Sequence, residues 1–152
     1  MVLPFLILLL MGTLELARIT YTYYTLNKIL TAMARYVSTR QGVDFCDSTD
    51  TTVANAANFA LTGTNDGSGT PILSDLTADM LSVRIEQVDT ASGSVSECPC
   101  GVPGCDTANG GTPPDYIVVS IPGGYPVTPH IPLIPTNPIP LTPVVRMPYG
   151  GT

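Results

Sequence analysis

Residues 1–40 read MVLPFLILLLMGTLELARITYTYYTLNKILTAMARYVSTR, and this stretch decides the fold. From Met1 to Leu14 there is no charge, and Thr13 is the single polar side chain. Beyond it, Leu16, Ile19, Tyr23, Leu26, Leu30, Met33 and Val37 recur at alternating steps of three and four, the stripe of a helix that packs along one face. Thr20, Thr22, Thr25, Lys28, Thr31 and Arg35 fall largely off that stripe. After Pro4 no proline interrupts the run, and Gly12 is its one internal glycine. The pattern predicts one helix of about 35–40 residues, about 55–60 Å long. Gly42 then supplies a stop signal.

The two halves of this stem need different surroundings. A domain of this size cannot cover the apolar first half while it also covers the second. Val2, Leu3, Phe5, Leu6, Leu8, Leu9, Leu10 and Leu14 are therefore expected to pack on copies of the chain or in a membrane, and Thr25–Arg40 on the chain's own head. An uncharged run to Leu14 rises about 21 Å as a helix, less than the ~30 Å hydrocarbon core. A cleaved signal peptide is disfavoured, because no basic residue precedes the run and Ala17 is a weak cleavage position. Glu15 ends the apolar stretch, where a carboxylate is costly unless paired. Arg18, three residues on, offers a local partner on the same face. The other reading is a contact between neighbouring subunits that sets their stagger.

Charge divides the chain at the same place. Residues 1–40 carry four basic residues against Glu15 alone, net +3, and residues 41–152 carry Arg84 and Arg146 against eleven acids, net −9. An overall charge of −6 argues against general nucleic-acid binding. With 44% hydrophobic residues the chain is not a disordered acidic tail, and its 14 Gly and 15 Pro lack a collagen period. The expected organisation is a helix over 1–40 that forms a membrane or filament core, and an α+β head over 41–152 with a Pro-rich C-terminal segment.

In the head, Val53, Ala56, Ala57, Ala60 and Leu61 predict a short helix over Thr52–Leu61, capped by Thr51 or Thr52. TGTNDGSGT (62–70) reads as a turn, because the alternating ligands and closing Glu of a calcium loop are missing. MLSVRIEQV (80–88) alternates and YIVVSI (116–121) is rich in β-branched residues, so both predict strands of an antiparallel ribbon. Pro126, Pro129, Pro132, Pro135 and Pro138 fall every third residue, the period of polyproline II. Apolar residues lie between them, which predicts an extended crossing over the head and then an edge strand near Leu141–Met147.

Cys46, Cys98, Cys100 and Cys105 lack the C-x2-C spacing of a zinc site and are expected in disulfides, with three pairings open. One link from Cys46 would tie the end of the stem to the cluster. There is no G-x-S-x-G, P-loop or H-E-x-x-H, and the one histidine, His130, sits among prolines. No catalytic constellation or cofactor site emerges, and a non-enzymatic role is expected.

The order of several weak motifs resembles the TadE-like pilins of Tad-type, type IV-like pili. Gly12, Glu15, Leu16, Ala17 and Arg18 match that family's G-x-x-E-[FL]-[GA]-R, and Tyr21, Tyr23, Asn27, Ala34, Arg35 and Tyr36 match the aromatic, Asn-containing helix ending in A-R-Y. Tyr125–Pro129, Leu133–Pro135, Ile139–Leu141 and Val145–Met147 resemble its C-terminal strand motifs. The family's processing stretch, a small residue then V-E-F, has no counterpart before Leu3-Pro4, so no processing residue carries over. The resemblance implies a pilin-like structural subunit that waits in the inner membrane and is extracted by pilus assembly machinery. It would then polymerise with copies of itself through the stem, and the head would face outward for adhesion or surface attachment. The alternatives are a minor tip or priming pilin, and a membrane-anchored surface domain that binds a ligand.

Overall fold

A computed structural model describes residues 2–47, 49–98, 105, 110–130 and 137–151. Helix α1 (Val2–Ser38) is unbroken. Its threonines do not disturb it, because Thr20, Thr22, Thr25 and Thr31 each donate their hydroxyl to the carbonyl four residues back, at 2.7–3.0 Å. The stem thus hides its own polar groups along its middle.

Helix α2 (Thr51–Thr62) lies against α1. Its cap is Asp50 rather than Thr51 or Thr52: the carboxylate Oδ1 accepts from Thr52 N at 2.7 Å and Val53 N at 3.1 Å. An aspartate one residue earlier satisfies two orphan amides and adds negative charge at the helix N-terminus. Ala56, Ala57 and Ala60 are buried, and their small side chains allow close approach to α1. A single 3₁₀ turn (Ala78–Met80) leads into the sheet.

The main sheet contains β1 (Ser82–Val88), β2 (Val95–Glu97), β3 (Tyr116–Ser120) and an edge strand that we call β6 (Val144–Pro148), in the order β2-β1-β3-β6 and antiparallel throughout. β1 starts two residues later than the alternation predicted, because Met80 closes the 3₁₀ turn. On the inner face, Ile85 pairs with Ile117, Val119 with Val83, and Val145 and Met147 with Val119 and Ile117. Ile117, Val119 and Ile121 meet Leu26, Ile29, Leu30, Met33, Ala34 and Val37 of α1 and the alanines of α2 in one core. The outer face is tied by charge. Arg146 pairs with Glu86 and stacks 4.4 Å over Tyr116, and Arg84 reaches Glu97 at 3.2 Å.

The proline series begins in a strand. Pro126 lies in β4 (Tyr125–Val127), which pairs with β5 (Ile139–Leu141), just past Pro138, as a two-stranded antiparallel ladder. Pro126 faces Pro140. Neither has an amide hydrogen, so the pair occupies the position in the ladder that needs none. Gly124 enters this ladder at φ 71°, and a Cβ there would lie 2.7 Å from Pro140 Cβ. Residues 131–136, with Pro132 and Pro135, lie outside the described residues.

Candidate functional site

The structure divides the predicted stem at about Ile19. Below it, Leu3, Phe5, Leu8, Leu14 and Leu16 are each 65–71% exposed, and Leu6, Leu9 and Leu10 are 50–60% exposed. Val2 opens the helix. Of the stripe, Leu16 and Tyr23 are exposed, Ile19 is half-buried, and Leu26, Leu30, Met33 and Val37 are fully buried under the head. The helix is long and apolar enough to cross a membrane, and none of its most apolar window is covered by the chain. A soluble monomer rarely leaves so large a contiguous apolar surface bare.

At the lower edge of the head, the stem touches the Pro-rich segment. Arg18 Nη1 lies 2.8 Å from His130 Nδ1 and 3.9 Å from Glu15 Oε2. A guanidinium only donates, so the ring nitrogen accepts and the imidazole proton sits on Nε2. Glu15 and Arg18 are therefore neighbours on one helix face, but the shorter bond of Arg18 goes to the head. Glu15 Oε2 is shielded from water and accepts no hydrogen bond. This contact joins residues 112 apart.

Cys98 and Cys105 form a disulfide with Cα atoms 6.2 Å apart, buried against Ile85 and Phe45. Cys46 is disulfide-bonded as well, and Cys100 lies outside the described residues. The disulfides fasten the loop after β2 and the segment that follows the stem. Among the described residues no group of three His, Cys, Asp or Glu is placed to hold a metal ion.

Two clefts flank α2. The first, about 620 Å³, is lined by Tyr24, Asn27, Lys28, Thr31, Ala32, Arg35 and Tyr36 of α1 and by Phe59 of α2. It is aromatic and basic, with Lys28 Nζ 4.7 Å over the Tyr24 ring and Tyr36 5.6 Å from Phe59. The second, about 490 Å³, has an apolar floor that includes Met33, Val53, Ala57 and Leu81, with Asp47 and Asp79 at its rim. Hydrogen bonds from the Thr49 and Thr77 hydroxyls hold these two carboxyls below their ordinary value. Burial pushes the Tyr125 hydroxyl upward, with a further push from the Asp75 charge. The sequence reading missed both clefts as sites. Tyr24, Lys28, Thr31 and Arg35 do follow a helical spacing opposite the core stripe, which is the signal that marks the first. The second is assembled from four separate segments. No family model, curated protein or solved structure matches the chain.

Proposed function

We propose that the chain is a structural subunit of an extracellular filament, held in a membrane by its stem before assembly and packed stem against stem afterwards. The observation that carries this reading is the bare apolar half of α1, rigidly continuous with a folded, disulfide-fastened head. Such a helix satisfies its own backbone, so lipid and a bundle of like helices both suit it. The ordered resemblance to TadE-like pilins supports the same reading, in which the head lies outside the cell, where disulfides persist. Assembly machinery that extracts the subunit from the inner membrane belongs to that reading, and neither a cofactor nor nucleic acid does.

Leu8→Asp tests it. Leu8 is 71% exposed and far along the stem from the head's core. A charge there is costly in hydrocarbon, about 2.5–3.5 kcal/mol even on the milder scale. Electron microscopy of material sheared from cells, with mass spectrometry for this chain, should find filaments in the wild type and none in the variant. The head of the variant should keep its disulfides. Normal filaments containing the variant would refute the stem as the polymer core and favour a tip subunit or a surface anchor.

A further inference from the structure

We infer that the basic-aromatic groove of one copy docks on the acidic cleft of the next, so that the heads as well as the stems are linked by a repeating contact. This deepens the filament reading and rests on it. The groove exposes Tyr24, Lys28, Arg35 and Phe59, and none of its lining residues is acidic. Among the described residues, neither Lys28 nor Arg35 meets a carboxylate. The cleft offers the opposite: an apolar floor, with Asp47 and Asp79 exposed at the rim and ionised at neutral pH.

The charge balance of the whole chain points to the same partner. The stem carries net +3 and the head net −9. The head's own cations are already engaged, Arg84 with Glu97 and Arg146 with Glu86. Among the described residues neither Asp47 nor Asp79 pairs with a cation, and another copy of this chain offers cations beside an exposed aromatic surface. Charge complementarity of this kind fixes register and suppresses wrong pairings more than it adds affinity.

The geometry also decides what kind of assembly results. α2 advances about 100° per residue, which puts Phe59 roughly half a turn away from the side that carries Val53, Ala54 and Ala57. Groove and cleft therefore open on opposite sides of one helix. A contact between two different patches is heterologous, and each copy keeps a free groove and a free cleft for further copies. Such contacts build open helical assemblies when the rotation does not close.

The experiment uses the full chain in cells. Lys28→Glu with Arg35→Glu should lower the sheared, filament-borne chain at least ten-fold, as should Asp47→Lys with Asp79→Lys, and combining all four should restore it to within about three-fold of wild type. Nonreducing gels of the membrane fraction establish that each variant is made with its disulfides. Independently, a photo-crosslinking phenylalanine analogue in place of Tyr24 should give a dimer whose crosslink maps to 45–54 or 77–83 of the second copy. Unchanged filaments in the Lys28→Glu, Arg35→Glu variant, or a crosslink to any other site or molecule, overturn the docking and leave the filament reading standing. The mapped crosslink in cells that make no filaments keeps the docking and overturns the filament.

Discussion

Truncating Leu30 to Ala separates the head's stability from the stem's exposure. Leu30 is fully buried where α1 meets α2 and the sheet, surrounded by Leu26, Met33, Ala34 and the β3 side chains. Removing its isobutyl end loses the transfer energy of the deleted carbons and leaves a void that packed neighbours fill only in part. The expected cost is roughly 2–5 kcal/mol. For a domain of this size that lowers the melting temperature by about 10–20 °C. Leu8→Ala makes the same chemical change at a side chain 71% exposed, so the same melt should move by no more than about 2 °C. The assay is thermal unfolding of the full chain in mild detergent, followed by near-ultraviolet circular dichroism of the head's tyrosines. A shift below about 3 °C for Leu30→Ala, or an equal shift for Leu8→Ala, would refute the division of α1 into a head-packed half and a bare half.

Asp50→Ala should cost about 0.5–2 kcal/mol in urea unfolding, and Asp50→Asn much less, because the amide oxygen still caps α2. Equal losses from the two substitutions would mean the cap contributes charge rather than hydrogen bonds. Acid should also loosen the head. Thr49 and Thr77 hydroxyls lower Asp47 and Asp79, the Ser68 amide lowers Asp66, and the Ser92 hydroxyl lowers Asp89, all from an ordinary value of 3.8. Groups lowered by folding stabilise above their unfolded value, so this contribution is present at neutral pH and is lost as pH falls below about 4. A melting temperature that rises between pH 5 and pH 3 would contradict those bonds.

The elements written in the sequence are those whose pattern is long or strict. α1 shows an uncharged run and then seven positions at helical spacing. β1 shows alternation, and β3 a β-branched run. Those signals are local, and each survived folding with ends moved by a residue or two. β2 was not legible, because Val95–Glu97 is three exposed residues with no alternation to read. The β4–β5 ladder was hidden by its prolines, which pair only because Pro126 and Pro140 fall opposite each other where no amide is needed. The candidate surfaces divide in the same way. The bare apolar half of the stem is a one-dimensional feature and can be read directly. The basic groove needs Phe59 beside Tyr36, and the Arg18 contact needs His130, so both depend on packing between segments distant in sequence.

The magnitude of the exposed apolar surface constrains how such a chain can move between settings. Ten large apolar side chains between Leu3 and Leu16 are each 45–71% exposed. Full burial of one contributes roughly 1.5–3 kcal/mol, so covering what is bare here contributes on the order of 10 kcal/mol. That is comparable to the freedom lost when two molecules associate, about 4–15 kcal/mol. A single partner stem, which covers one side of the helix, would recover only part of the sum. Several neighbours, or lipid, surround it and recover nearly all. A free stem in water therefore sits high above both apolar settings, and a pathway through a dissolved monomer would lose material to non-specific association. In the proposed filament each stem must pass directly from lipid into a bundle of several others. Glu15 and Arg18 stand where the bare half ends, at the point that would cross that boundary. In that proposed transfer their position, with Arg18 also held to the head through His130, would keep the charged end of the apolar half fixed relative to the head.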